Sequence, residues 1–152
     1  SAIKTFTQKV NWKDLDFIIV DMPPGTGDTQ LTFSQEIKMD GAIIVSTPQE
    51  VALLDVKRGI KMFDKLGVKI LGLVDNMSFF VGDDGKKYKI FGEGGVKRTA
   101  EEFQKKFLGE IPIDPAVGKA GDRGIPIVES EPNNKISKVY IDLANKIKSE
   151  FF

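Results

Sequence analysis

The sequence predicts an α/β fold, doubly wound around a mainly parallel sheet with flanking helices, and three observations carry that expectation. Four short runs, Phe17–Val20, Ala42–Ser46, Ile70–Val74 and more weakly Phe107–Ile111, are apolar and rich in β-branched residues. They are continuous rather than alternating, as strands of a parallel sheet are when both faces are covered. Helical patterns separate them, and strand–helix alternation builds βαβ units with right-handed crossovers. Finally, 152 residues at 41% hydrophobic and 29% charged are enough for a single domain over 1–152. Such a chain buries a core that offsets the entropy of ordering the backbone.

The elements follow in order. Ala2, Ile3, Phe6 and Val10 fit one helix face, yet no capping residue precedes them, so the chain is expected to begin inside an element. Phe17–Val20 is the first predicted strand, and Gln30–Lys38 a short helix. After the strand Ala42–Ser46, a long helix over Glu50–Leu66 places Val51, Leu54, Ile60 and Phe63 near one face. Lys57, Arg58, Lys61 and Lys65 lie mostly on the other face. Gly67 is its expected C-cap. The strand Ile70–Val74 leads towards Asp83-Asp84-Gly85, which reads as a β-turn or hairpin tip. Gly94-Gly95 open a helix over Val96–Phe107. Past the last strand, the helix Asn133–Phe151 carries Ile136, Val139, Tyr140, Leu143 and Ile147 on its buried stripe.

Composition narrows the chemistry. Lys+Arg and Asp+Glu are equal at 22 each, which gives no support for a nucleic-acid or membrane surface. The chain has no Cys and no His, so thiolate metal ligands, thiol nucleophiles and imidazole bases are not available from it. No apolar run approaches the ~20 residues that cross a bilayer. Ser1-Ala2-Ile3-Lys4 lacks the apolar core of a signal peptide. A cytoplasmic location is the expectation.

One segment stands out chemically: Phe17-Ile18-Ile19-Val20-Asp21-Met22-Pro23-Pro24-Gly25-Thr26-Gly27-Asp28. An apolar strand ends in a carboxylate and turns through a Pro/Gly-rich loop. Ligands of doubly wound sheets sit at the C-terminal ends of the strands. A carboxylate there is placed to hold Mg²⁺ through a water, since Mg²⁺ dehydrates reluctantly. Gly25 and Gly27 would let the backbone approach a phosphate, and Asp28 would orient a water or contact the metal. The alternative is that Asp21 caps a turn and Pro23-Pro24-Gly25 is only a stiff connection.

Val20-Asp21-Met22-Pro23-Pro24-Gly25-Thr26-Gly27-Asp28 resembles the Walker B and switch II segment of the Mrp-type iron–sulfur cluster carrier ATPases. These belong to the deviant Walker A P-loop group together with the MinD and ParA families. The similarity continues through Ser46-Thr47-Pro48-Gln49, Asp75-Asn76-Met77-Ser78 and Ile90-Phe91-Gly92-Glu93-Gly94-Gly95. It extends to Gly109-Glu110-Ile111-Pro112-Ile113-Asp114-Pro115 and Gly121-Asp122-Arg123-Gly124-Ile125-Pro126. Asp-x-Pro-Pro-Gly-Thr-Gly-Asp together with Asn-Met-Ser favours the Mrp branch. The resemblance implies that Asp21 holds Mg²⁺ through water and that Gly25 is the switch glycine near the γ-phosphate. It implies that Asn76 reads the adenine edge, where an amide both donates and accepts, and that Pro112 and Asp114 belong to the base pocket. Read without the resemblance, Asn76 is a turn residue after a strand.

Two departures bear on function. No segment matches the Walker A pattern G-x-x-x-x-G-K-S/T or its deviant form. Gly92-Glu93-Gly94-Gly95 has no Lys-Ser/Thr in register. The backbone amides and lysine that anchor phosphates in the family therefore have no counterpart in this chain. The chain is accordingly expected to be the C-terminal portion of a P-loop domain, inactive alone. Many members also carry a Cys-x-x-Cys pair that can hold a bridging iron–sulfur cluster between two subunits. Here the stretch is Phe79-Phe80-Val81-Gly82-Asp83-Asp84-Gly85-Lys86-Lys87-Tyr88, a solvated turn without cysteine.

The resemblance implies a parent protein that binds ATP and Mg²⁺, hydrolyses ATP, dimerises and passes iron–sulfur clusters to apo-proteins, without nucleic-acid or membrane partners. The missing cysteines leave cluster binding by this chain in doubt. Two alternatives stay open: an ATP-switched interaction or partitioning-type protein with no cluster role, and a non-catalytic fragment. An exposed sheet edge is expected to drive dimerisation or unusual strand pairing.

Overall fold

The computed structural model describes residue 5, residues 9–22 and residues 27–152. Among these, β1 (Ala42–Ser46), β2 (Ile70–Val81), β3 (Lys87–Tyr88) and β4 (Phe107–Ile113) form one sheet. Six helices within residues 27–152 accompany it: α1 (Asp28–Glu36), α2 (Glu50–Lys65), α3 (Gly95–Glu102), α4 (Pro115–Asp122), α5 (Ile127–Ser130) and α6 (Lys135–Lys148). The central strand β2 pairs in parallel with β1 on one side and β4 on the other. Beyond the parallel core, β2 runs on into an antiparallel hairpin with β3. The parallel α/β expectation is met, with β1, the first half of β2 and β4 at the predicted places.

Two apolar clusters cover the two faces. Leu73 of β2 packs with Leu53, Val56 and Ile60 of α2 and with Val96 and Ala100 of α3. On the other face, Val74, Leu108 and Ile111 pack with Ala120 of α4, Ile127 of α5, and Ile136 and Leu143 of α6. Successive side chains of a strand point to opposite faces, so neighbouring residues 73 and 74 serve opposite clusters. That two-sided burial is why the apolar runs are continuous in sequence.

The turns are specified locally. Gly67 follows α2 at φ 69, and Val68 N–H donates to the Phe63 carbonyl (3.0 Å), a Schellman closure that suits glycine. At the β2–β3 hairpin Asp84 accepts from the Lys86 amide (2.9 Å) and the Tyr88 hydroxyl (2.6 Å). Lys87 Nζ lies 4.3 Å from the centre of the Phe79 ring. The predicted Asp83-Asp84-Gly85 tip is thus a hairpin turn, with Gly85 at φ 75. At the opposite end of the molecule, Glu150 pairs with Lys69 (3.1 Å) and with Lys106. Hydrogen bonds from Lys106 and then Lys69 hold its carboxyl below the usual carboxylate range.

Four expectations need correction. Phe17–Val20 is not a strand: it joins no ladder in the described sheet and is exposed, Ile19 by 80%. A short apolar run becomes a strand only when a neighbour accepts its backbone hydrogen bonds. Among the described residues β1 pairs only with β2, so its other edge is open. The Phe17 ring instead packs edge-on against Phe151 and Phe152. Second, α2 buries Leu53, Val56, Ile60 and Phe63, whereas Val51 and Leu54 are 72% and 58% exposed. At 100° per residue, the line through 53, 56, 60 and 63 faces the sheet and Val51 and Leu54 turn away from it. Third, the predicted helix Val96–Phe107 ends at Glu102, because Phe107 already belongs to β4. Fourth, β2 extends to Val81, where β3 supplies partners that residues 70–74 could not announce. The other helices shift by a few residues: α1 starts at Asp28 and α6 is capped by the Asn134 side chain. The expected helix face Ala2, Ile3 and Phe6 lies outside the described residues.

Candidate nucleotide-binding corner

Asn76, Pro112 and Asp114 lie near one another along the β2–β4 ladder, before and at the end of β4. Asn76 lies opposite Ile111 in the β2–β4 ladder, immediately before Pro112. It follows Val74 on the face covered by α4, α5 and α6, and it is half-buried. Asp114 leaves β4 and caps α4, its Oδ1 accepting from the Ala116 amide at 2.8 Å. Pro115 takes the first helical position, where its missing N–H costs nothing. Asn76 thus pairs one residue before Pro112, and Asp114 follows as β4 gives way to the N-terminus of α4, at the C-terminal end of β4, where sheets of this kind bind ligands.

Asp75, on the opposite face, is the electrostatic oddity of this region. It follows Leu73 on the α2–α3 side, in register with Ser46 of β1 and Glu110 of β4. It is 1% exposed, and its Oδ1 has no hydrogen-bond partner among the described residues. Burial, and secondarily the Glu110 carboxylate, raise its pKa from 3.8 to about 6. The Ser46 hydroxyl is no partner to it, since it donates to the Thr47 carbonyl (2.8 Å).

The glycines after β3 have a packing reason. A Cβ on Gly95 would lie 2.6 Å from Leu53 Cδ1 and 2.8 Å from the Pro48 carbonyl oxygen, so only glycine lets α3 approach the β1–α2 connection. Gly94 sits at φ 64 as the N-cap of α3. Pro48, two residues past the end of β1, forms the other side of that contact.

The remaining predicted residues are not joined to the corner by strand pairing. Asp21 is exposed and outside the sheet, and Asp28 opens α1 in its first turn, where a carboxylate suits the helix dipole. Gly25 lies outside the described residues. Among the described residues no three metal-ligating side chains gather. An exposed Asp21 with hard oxygen donors fits Mg²⁺ held chiefly by waters and phosphate, since that ion takes few protein ligands. The Asn76 amide fits the edge of a base. Sequence reasoning missed Asp75, Met77 and Ser78 as individuals. A lone Asp after Leu71-Gly72-Leu73-Val74 was the available signal for the first.

Comparison with known proteins places this arrangement in a family. A model described as "ParA: NUBPL iron-transfer P-loop NTPase" matches residues 1–148. The chain is 51% identical over 148 residues to an iron–sulfur protein required for NADH dehydrogenase, mitochondrial, of Arabidopsis thaliana, covering 97% of this chain and 47% of that one. It is 46% identical over 147 residues to an iron–sulfur cluster carrier protein of Synechocystis sp., covering 95% of this chain and 42% of that protein. A solved nucleotide-binding protein of Archaeoglobus fulgidus, in complex with ADP, superposes with a TM-score of 0.73 at 40% identity, covering 81% of this chain and 51% of the other. The chain thus spans about half the length of the relatives it matches. With the motif order and the parallel α/β sheet, these matches establish that the chain belongs to the ParA/NUBPL family of iron-transfer P-loop NTPases.

Proposed function

We propose that this chain is the base-binding part of an ATP-dependent iron–sulfur cluster carrier or assembly protein. The observation that carries the reading is the placement of Asn76 opposite Ile111, one residue before Pro112, with Asp114 capping α4 at the end of β4. Asn76 reads the adenine edge, Pro112 and Asp114 wall the base, and Asp21 holds Mg²⁺ through water. Gly25 and Asp28 act at the γ-phosphate and the attacking water. ADP bound to the Archaeoglobus relative supports nucleotide as the ligand. The phosphates need amide and lysine donors that no glycine-rich Lys-Ser/Thr segment of this sequence supplies, so ATP hydrolysis belongs to the complete protein.

The relatives' names support an iron–sulfur cluster as cargo, and apo iron–sulfur proteins as clients. With no Cys in the chain, the thiolates that hold the cluster come from another polypeptide segment. A cytoplasmic homodimer without nucleic-acid or membrane partners completes the reading. The balanced charge gives no support for a nucleic-acid surface, and among the described residues no helix is long and apolar enough to cross a membrane. The absence of Cys also favours a second reading, an ATP-switched interaction protein with no cluster role. Nucleotide-dependent capture of a partner without iron transfer separates it from the first.

The test is equilibrium binding of ATP with Mg²⁺, with Asp21→Ala and Asn76→Ala as controls. Binding that both variants lose supports the site as assigned. Binding that neither variant weakens refutes it.

A further inference from the structure

We propose that Ser78 is a positioning residue for base recognition: its buried hydroxyl holds the bulge of β2 that aims Asn76. The inference rests on the nucleotide reading for its function, and on local geometry for its structure.

The β2–β4 register shifts at two places, between Leu73 and Val74 and, beside the candidate site, between Asn76 and Phe80. Asn76 pairs with Ile111 and Phe80 with Ile113, so β2 spends Met77, Ser78 and Phe79 where β4 has only Pro112. Pro112 has no N–H and can donate nothing to the ladder at that point. The extra residues of β2 are accommodated by Met77, which sits in the left-handed region at φ 55. A bulky side chain avoids that conformation unless its surroundings over-determine it. The described contact that does so is one residue on. Ser78 is 4% exposed, and its Oγ donates to the Ile111 carbonyl at 3.2 Å. A side-chain hydroxyl thus occupies a carbonyl of β4 just before the proline, and ties the bulge to the strand that carries Pro112 and leads to Asp114. Met77 itself is exposed, so packing does not hold it. Asn76 is the last β2 residue paired before the bulge, so its amide direction follows from where the bulge is pinned.

Ser78 is remote from the phosphates in this scheme. Its loss should therefore change which base is preferred rather than weaken all nucleotides alike. The experiment is an NMR titration of the chain with ATP and with GTP, each with Mg²⁺, for the parent sequence, Ser78→Ala, Ser78→Thr and Asn76→Ala. Ser78→Ala should cut the ATP preference by about tenfold, the loss of one oriented hydrogen bond. Ser78→Thr, which keeps the hydroxyl, should restore it. A residue that only stabilises the fold would lower the melting temperature and leave the ratio alone.

An unchanged ratio in Ser78→Ala, with the ratio abolished in Asn76→Ala, overturns the proposal. The same spectra decide the structural claim without any ligand. The Met77 backbone amide and the Asn76 side-chain amide should shift in Ser78→Ala and return in Ser78→Thr, and unmoved resonances overturn it. If neither nucleotide binds the parent sequence, the nucleotide reading fails, and those two resonances still decide whether Ser78 sets the bulge.

Discussion

Replacing Asp75 with asparagine removes a charge that the fold buries without compensation. In the unfolded chain the carboxyl titrates near 3.8, and in the folded one near 6. Each pKa unit is worth 1.36 kcal/mol between the two protonation states, so the ionised form is disfavoured by about 3 kcal/mol in the folded protein. The sign follows from proton linkage. A raised pKa means that the folded state binds the proton more tightly, so this contribution to stability is complete below about pH 3.8 and is lost as pH rises through about 6. The side-chain amide of the Asp75→Asn variant has no charge to bury, and its nitrogen can donate where the carboxylate only accepts. Urea unfolding of both proteins at pH 4 and pH 8 tests this. The variant should gain up to about 3 kcal/mol at pH 8 relative to its difference at pH 4, or about 6–12 °C in melting temperature for a domain of this size. A difference between the two proteins that does not vary with pH refutes the burial argument. So does a variant that is relatively less stable at pH 8 than at pH 4.

Two further outcomes follow from the packing and the capping. Leu73→Ala, at a fully buried position between α2 and α3, should cost about 2–5 kcal/mol in urea unfolding, with an unchanged m-value. Asp114→Ala removes the hydrogen bond to the Ala116 amide and should cost about 1 kcal/mol through loss of the α4 cap. It should also weaken ATP if Asp114 walls the base, and isothermal titration separates the two effects.

Edge-driven association remains a proposal, and size-exclusion with light scattering tests it: a dimer supports it and a monomer refutes it. Among the described residues β1 leaves one side unpaired, and the apolar run Phe17–Val20 is exposed. Unpaired strand edges recruit partners. The open edge fits the proposed homodimer, and it equally fits a strand from another segment.

Much of this molecule was legible in the sequence, because the determinants were local. β1, β4 and the first half of β2 are apolar runs covered on two faces, and such burial writes a continuous pattern into the chain. Gly67 and the Asp83-Asp84-Gly85 turn announce themselves because few residues adopt those backbone conformations. Asn76, Pro112 and Asp114 are read from resemblance to a family; the ladder sets Asn76 opposite Ile111, next to Pro112 in the chain, and Asp114 caps α4.

Other features were decided only by contacts distant in sequence. Whether Phe17–Val20 is a strand depends on a ladder partner, which its own side chains do not specify. The buried face of α2 runs through Leu53 and Val56 rather than Val51 and Leu54, because the helix docks where Leu73 and Val96 meet it. The burial of Asp75 and the bulge at Met77 arise from pairing with β4, where Glu110 and Pro112 stand more than 30 residues away in the chain. Fold class, family and turns could be read from the order of residues, because each is written in short stretches of chain. Which face of α2 is buried, which carboxylate is desolvated and where Ser78 pins the bulge could not, since each depends on surfaces that meet only in the folded molecule.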